Sequence, residues 1–329
     1  MGTFLNYLSS LPGAVAQGMI WGIMAIGLYI TYKVLDFADL TVDGSICTGA
    51  AVCAAAMTLG VPMPVAMLCA FASGLLAGFI TGVFHTFMGI PAILSGILTQ
   101  LILWSVNLKI MGLALGKSSA ANLPLSARNF DTLVTMMDMN RSIIALEVIC
   151  VVIIGVLYWF FGTEYGSALR ATGANINMSR AQGINTDITK IFGLVLSNGI
   201  VAFSGALLAQ YQGNADINMG KGAIVIGLAA VIIGEALFGW ISKNNFALKL
   251  ITVVLGGIVY FIVYSTVIYL GLDSNYLKLL SAVVVAIFLA IPYWKKKYFS
   301  GAAHAQRREE KRAEKLKAKE SAQGGAQDA

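Results

Sequence analysis

The sequence has few charged residues for its length. Asp, Glu, Lys and Arg together make up 12% of the 329 residues, against roughly 25% in a soluble globular domain. Hydrophobic residues make up 58% of the chain, and the mean hydropathy is +0.79. This deficit of charge excludes an ordinary water-soluble domain and predicts that most of the chain lies in lipid.

Residues that commonly carry catalysis or bind metals are also scarce. The two histidines, His85 and His304, have no Cys, Asp or Glu set at ligand spacing. The four cysteines fall inside apolar runs without a paired CxxC pattern, so we interpret them as packing residues. A Gly-x-x-x-x-Gly-Lys-Ser/Thr phosphate loop is missing as well. The sequence therefore predicts neither an enzyme nor a bound cofactor, and any energy from ATP must come from a partner.

The formal net charge of +6 is concentrated at the C-terminus. Residues 295–329 hold 10 basic and 5 acidic residues, whereas residues 1–294 are nearly balanced, with 12 and 11. Because the basicity belongs to the tail, it predicts no nucleic-acid partner. We divide the chain into a transmembrane domain, 1–294, and a basic, partly disordered cytoplasmic tail, 295–329, which can touch anionic lipid.

Apolar runs of about 20 residues, long enough to cross a bilayer, recur along the chain. They predict an all-α, polytopic bundle of about 8–10 transmembrane helices. Polar residues inside the second and fourth runs indicate that either could be broken or re-entrant. The predicted spans are 12–33, 41–60, 64–87, 90–112, 142–162, 190–210, 221–240, 246–270 and 276–294.

Two stretches of the sequence are alike in organisation. Residues 30–56 and 207–233 each contain a helix end, a polar connector, a glycine and a helix of small residues. The distribution of Lys and Arg places the tail and the loop 163–190 in the cytoplasm and the N-terminus outside. The two connectors then lie on opposite sides, which is the relation expected of an inverted repeat.

One polar interruption, residues 163–190, does not fit the membrane pattern. Asn175 is placed to cap a short helix, Gly183 to end it, and Thr186 to cap the next helix. Gly173 stands where another short helix would stop. The segment is interpreted either as a compact helix-turn-helix outside the bilayer or as an ordinary solvated loop.

Polar groups at membrane depth are candidates for a solute pathway. Asp43 begins a predicted helix, where it acts either as a transport group or as a helix-start cap. The Asn and Gln side chains in the apolar runs either line a pathway or form hydrogen bonds between helices. The candidate pathway residues are Asp43, Gln100, Asn107, Asn198 and Gln210.

Three stretches, 165–175, 181–187 and 227–239, resemble the permease subunits of bacterial ABC importers for branched-chain amino acids and simple sugars. The loop ALRATG…GINTD is most similar to a branch described as tryptophan or tyrosine transport permeases. Glu235 and Ala236 depart from the residues usual in the sugar and branched-chain branches, so the solute is not transferred from those branches.

The resemblance implies that residues 163–190 form a cytoplasmic coupling helix on a separate ATP-binding subunit, which uses ATP and magnesium. It also implies an extracytoplasmic substrate-binding lipoprotein, a second permease copy in a homodimer, and contact with membrane lipid. The residues it assigns to coupling are Arg170, Ala171, Thr172, Gly173, Asn175, Arg180, Gly183, Ile184 and Asn185.

We therefore expect the permease subunit of an ATP-driven importer in a bacterial plasma membrane. The expected solute is an amino acid with an aromatic or branched side chain, by resemblance only. Two alternatives stay open at this point: an ABC importer of a sugar or nucleoside-like solute, and a secondary transporter driven by protons or sodium through Asp43.

Overall fold

The computed structural model describes residues 2–125, 132–241 and 245–269, together with 282–283, 286–287 and 290. The described chain is almost entirely helical, which confirms the predicted all-α fold. The helices are α1 Gly2–Tyr29, continued by a π-helical turn Ile30–Val34, α2 Val42–Thr58, α3 Met63–Thr86, α4 Ala92–Ala114, α5 Met139–Phe161, α6 Glu164–Ala174, α7 Ile176–Ala181, α8 Thr186–Gln212, α9 Ala223–Phe238 and α10 Phe246–Tyr269; the strands are β1 Asn122–Pro124 and β2 Asn214–Asp216.

Within the described ranges, six helices are long and apolar enough to cross a membrane. They include α4, which runs unbroken through Gln100 and Asn107. The predicted spans 41–60 and 221–240 correspond to α2 and α9, which have only 17 and 16 residues, fewer than the ~20 that a span requires. The predicted span 276–294 and the tail 295–329 lie largely or wholly outside the described residues.

Helix α8 lies at the centre of the bundle, and its middle portion is buried. Helix α3 packs closely along it because Gly74 and Gly78 have no side chain at the contact. A Cβ at either position would collide with the backbone carbonyl of Asn198 or Leu194 of α8. Small residues permit this close approach, which drives helix association in lipid, where water exclusion contributes little.

The bundle has two distinct ends. One end, which we name the segment end, carries the polar segment 163–190. The other, the hairpin end, carries the antiparallel pair β1 and β2, in which Leu123 lies opposite Ala215. Strand β2 directly follows the last residue of α8 and Gly213, so α8 connects the two ends.

The two short helices run in opposite directions. The connector 35–41 leaves the segment end, after which α2 runs toward the hairpin end and brings Cys53 to Gln210, 3.6 Å away. The connector 213–222 leaves the hairpin end, after which α9 runs toward the segment end and pairs Glu235 with Lys33 at 2.9 Å. This antiparallel arrangement is the relation predicted for the repeats 30–56 and 207–233.

Candidate functional site

The polar segment 163–190 folds as two short helices joined by a single extended residue. Thr163 caps α6 by accepting a hydrogen bond from the backbone N–H of Gly166 at 3.4 Å. Asn175 has an extended backbone, ends α6 and caps α7, its Oδ1 accepting from the N–H of Met178 at 3.0 Å. Side-chain caps satisfy N–H groups that a helix start leaves without partners. The segment is a helix-turn-helix, as the Asn175 cap predicted.

The exit from this segment differs from the prediction in one residue. Gly183 adopts a positive φ of 82°, which glycine tolerates and which ends the α7 turn. The cap of α8 is Asn185, whose Oδ1 accepts from the N–H groups of Asp187 and Ile188, both at 3.2 Å. Thr186 was wrongly predicted as this cap, because its hydroxyl instead accepts a hydrogen bond from Arg180 Nε at 2.8 Å.

Gly173 holds the segment against the rest of the protein. It lies inside the last turn of α6, and the helix continues to Ala174, so the prediction that Gly173 stops a helix was wrong. An added Cβ would strike the backbone carbonyl of Val34 at the end of the α1 extension. The absence of a side chain therefore lets α6 pack directly on the π-helical turn that continues α1, and Leu169 of α6 is buried.

Five of the nine predicted coupling residues are exposed, namely Arg170, Asn175, Arg180, Gly183 and Asn185. Arg170 Nη2 donates to the carbonyl of Phe161 at 3.0 Å, and Arg180 pairs with Asp187 at 3.2 Å, where both side chains are exposed. Thr172 is buried, whereas Ala171 and Ile184 are half-buried. The outer surface of α7 also presents two exposed apolar side chains, Ile176 and Met178.

A second cluster of polar groups lies where helices α2 and α9 begin, and we name it the central junction. It consists of Asp39, Thr41, Asp43 and Ser45, with Asn198 of α8 and the first N–H groups of α9. Asn198 Nδ2 donates to Asp39 Oδ2 at 2.7 Å, and its Oδ1 accepts from Ser45 Oγ at 2.6 Å. Asp39 also accepts from the N–H of Thr41 at 2.9 Å. These buried groups are mutually satisfied, as a low-dielectric interior requires.

A chain of hydroxyl groups fixes the first connector to its neighbours. Thr41 Oγ1 lies 2.7 Å from Thr81 Oγ1 of α3, which donates to Thr99 Oγ1 of α4 at 2.9 Å. All three hydroxyl side chains are buried. Irregular backbone inside a membrane domain is tolerated where protein groups satisfy it in this way.

Asp43 links helices α2 and α9 directly. It lies in the first turn of α2, yet it caps α9: its Oδ1 accepts from the N–H of Ile224 at 2.9 Å and its Oδ2 from that of Gly222 at 3.1 Å. Cys47 adds to the contact, because its Sγ accepts from the N–H of Gly220 at 3.1 Å. The positive ends of two helix dipoles thus converge on one carboxylate.

A cavity of about 390 Å³ opens beside the central junction. Three of its residues, Gln100, Trp104 and Asn107, follow a spacing of four and three residues and so share one face of α4. Its lining residues are Asp43, Gly44, Cys47, Gln100, Leu101, Trp104, Asn107, Ile217 and Lys221.

The candidate pathway residues divide into two groups. Asp43, Gln100 and Asn107 come together on this cavity. Asn198 and Gln210 do not line it: Asn198 is fully engaged in the central junction, and Gln210 accepts from the N–H of Leu133 at 2.9 Å while its Nε2 contacts Met67 Sδ, also at 2.9 Å. These two amides act as hydrogen bonders between helices.

Sequence reasoning did not single out Asp39 or Lys221. Asp39 has a signal in the sequence, because it lies four residues before Asp43 in a connector between two apolar runs. Lys221 could have been found as a lysine placed between two glycines at the start of an apolar helix. In the part of the chain that the structure describes, no three His, Cys, Asp or Glu residues are grouped to hold a metal ion.

Comparison with known proteins gives consistent results. A family described as branched-chain amino acid transport system, permease component, matches residues 11–291. A tyrosine transport system permease protein of Clostridioides difficile is 38% identical over 283 residues, covering 86% of this chain and 91% of that protein. An uncharacterised protein of Rickettsia prowazekii is 35% identical over 289 residues, covering 86% and 98%.

Two further proteins are less similar in sequence. The permease protein of an autoinducer 2 import system from Salmonella paratyphi B is 26% identical over 241 residues, covering 70% of this chain and 64% of that protein. Among solved structures, PsaBC from Streptococcus pneumoniae, in complex with a Fab, superposes with a TM-score of 0.50 at 12% identity, over 93% of this chain and 99% of the other. That likeness concerns the fold alone.

Proposed function

Since the chain belongs to the family of permease components of branched-chain amino acid transport systems, we propose that it is the membrane subunit of an ATP-driven importer for an amino acid. The proposed solute has an aromatic or branched side chain and moves into the cytoplasm. The observation that carries the proposal is the polar segment 163–190, a rigid pair of capped helices at one end of a multi-pass membrane domain. The tyrosine permease, 38% identical, supports the class of solute.

An ABC-type transport system contains an ATP-binding subunit and a substrate-binding protein as well as the permease. In our proposal the ATP-binding subunit docks on α7. The exposed side chains of Ile176, with 38% exposure, and Met178, with 60%, supply apolar contact area. The segment end and the C-terminal tail then lie in the cytoplasm, and the substrate-binding protein docks at the hairpin end.

The packing of the segment suits the transmission of force. Its helices are capped, its last turn abuts the end of α1 at Gly173, and Arg170 ties α6 to the end of α5. ATP can shift an equilibrium between two states of the permease only if the ATP-binding subunit contacts those states differently. A rigid segment in contact with α5, α8 and the π-helical turn that continues α1 would carry such a difference to three helices at once.

Other faces of the bundle would meet lipid or a second copy of the permease. Helix α5 is the most exposed of the six long helices, with 17% of the residues in its apolar stretch buried. Its exposed side chains include Val148, Val151, Val152 and Val156, an apolar set of the kind that faces acyl chains. We propose a homodimer of permease copies, as the resemblance implies.

Uptake into proteoliposomes tests the proposal. The permease, its ATP-binding subunit and its substrate-binding protein are reconstituted together and supplied with labelled L-tyrosine, L-leucine, glucose or adenosine. We expect uptake of an amino acid. This uptake requires ATP on the side of the membrane that carries the ATP-binding subunit, and it persists when proton and sodium gradients are collapsed. Uptake driven by an ion gradient without ATP would overturn the proposal and favour coupling through Asp43, and uptake of glucose or adenosine alone would reassign the solute.

A further inference from the structure

The cavity beside the central junction contains a buried amide without any hydrogen-bond partner. Asn107 is 1% exposed, and neither its Nδ2 nor its Oδ1 has a partner in the structure. Because both atoms are unpaired, the conclusion does not depend on which way the amide is assigned. A buried polar group left unpaired destabilises a protein, and such groups are commonly retained at functional sites.

The opposite charges around the cavity are held in different ways. Each carboxylate oxygen of Asp43 accepts one backbone hydrogen bond from the start of α9. A carboxylate has about four acceptor positions, so Asp43 is fixed in place and keeps capacity for a further donor. Lys221 lines the same cavity, and in the described ranges its ammonium group forms no ion pair with a carboxylate.

The remaining wall is apolar. Leu101 and Trp104 of α4 line the cavity next to the amides of the same helix, and their side chains are 62% and 47% exposed. The cavity, at about 390 Å³, falls at the small end of the range of roughly 300–1,000 Å³ found for small-molecule sites. A carboxylate, an ammonium group, an unpaired amide and an aromatic ring are thus available around a space that fits one small solute.

We propose that this cavity is a solute site within the permease itself, which binds the zwitterionic head of an α-amino acid between Asp43, Asn107 and Lys221. The ammonium group of the solute donates to Asp43, its carboxylate accepts from Lys221, and the Asn107 amide pairs with either. The side chain of the solute rests against Leu101 and Trp104. This assignment rests on the proposed function and deepens it, since the permease then checks the solute that its substrate-binding protein delivers.

The first test uses Asn107→Leu, a change of similar size that removes the polar atoms. If the amide serves a solute, the variant has a higher unfolding temperature than the wild type without solute, because an unpaired buried group is gone. In the reconstituted complex its uptake of L-tyrosine falls roughly tenfold. A stabilised variant with undiminished uptake would overturn the proposal, and the gain in stability excludes misfolding as the reason for lost uptake.

The second test measures binding to the full-length permease in lipid nanodiscs, without its partners, by the rise in unfolding temperature on adding a probe. L-tyrosine is compared with tyramine, which lacks the carboxylate, and with hydroxyphenylpropionate, which lacks the amine. We expect only L-tyrosine to stabilise the permease, the shift to be lost in Lys221→Met, and the shift to be kept in Lys109→Met. Lys109 is an exposed lysine of α4 that does not line the cavity.

The results of these tests distinguish a failure of the proposed solute site from a failure of the proposed function. ATP-dependent uptake with no amino-acid-induced shift, or with an equal shift in Lys221→Met, would overturn the site and leave the function standing. A tyrosine-specific shift together with uptake driven by an ion gradient would support the site and overturn the ATP-driven function.

Discussion

The polar segment and the central junction satisfy their polar groups over very different distances along the chain. In the segment, Asn175 bonds a residue three positions away and Arg180 one seven positions away. In the junction, Asn198 bonds Asp39 across 159 positions and Ser45 across 153. The segment therefore holds its shape through its own sequence, whereas the junction exists only when both halves of the bundle are assembled.

This difference suits the two proposed roles. A surface that docks on another subunit needs a shape that survives movement of the helices behind it, and local caps provide that. A site that changes between two states needs contacts that cross the moving parts. Asp43 has such contacts, because it is in α2 and accepts hydrogen bonds from two N–H groups at the start of α9. A shift of α2 against α9 must alter those bonds.

The strongest way to test this difference is to remove one buried acceptor from the junction. Asp39→Ala leaves the N–H of Thr41 and one N–H of the Asn198 amide without an acceptor, while the other amide N–H still donates to the carbonyl of Leu194 at 3.0 Å. Each unpaired buried N–H costs about 1–3 kcal/mol. We expect the free energy of unfolding in detergent to fall by about 3 kcal/mol or more. Asp187→Ala is the matched change in the polar segment, where the exposed ion pair with Arg180 contributes less than about 1 kcal/mol. Equal losses for the two variants would remove the distinction between the regions.

An intermediate effect is expected where the segment touches the bundle. Gly173→Ala places a Cβ against the carbonyl of Val34, and such overpacking costs about 1–3 kcal/mol. We expect reduced thermal stability, together with ATP hydrolysis that no longer drives uptake in the reconstituted complex. Gly155→Ala is the control, because a Cβ there meets open space and alanine favours the helix by up to about 1 kcal/mol. Full uptake in Gly173→Ala would show that this contact does not transmit motion.

The smallest effect on stability is expected from Arg180→Ala. Its ion pair with Asp187 is exposed and its bond to Thr186 is one partly buried hydrogen bond, so the free energy of unfolding should change by about 1 kcal/mol or less. If the segment docks on an ATP-binding subunit, uptake nevertheless falls while the protein stays folded. Thermal unfolding and ATP-driven uptake measured on the same preparation check both halves of this expectation. A stability loss as large as that of Asp39→Ala would contradict the local character of the segment.

The sequence predicted best what depends on neighbouring residues. The Asn175 cap and the Gly183 turn were found from their positions alone, because capping acts within one turn of helix. The cap of α8 was wrongly placed at Thr186 and is Asn185, because the Thr186 hydroxyl accepts a hydrogen bond from Arg180. The opposed directions of α2 and α9 were predicted from the similar organisation of residues 30–56 and 207–233. The short length of α9 was not predicted.

The central junction was beyond local reasoning. Asp43, Gln100 and Asn107 were selected as polar groups at membrane depth, and the structure brings them to one cavity. Asn198 was selected by the same rule, yet it bonds Asp39 and Ser45 instead of lining the cavity. No periodicity relates residue 39 to residue 198, so only tertiary packing distinguishes an amide that holds helices together from one that faces a cavity.

The bond between Asn198 and Asp39 also has a consequence for the synthesis of the protein. Asp39 leaves the ribosome 159 residues before its partner, which at roughly 5–20 residues per second is a delay of about 8–32 s. A carboxyl group cannot enter hydrocarbon alone without a large cost, so the connector that carries it must stay hydrated during this interval. Stable insertion of α2 therefore awaits translation of α8, so the order of synthesis constrains the order in which the helices fold.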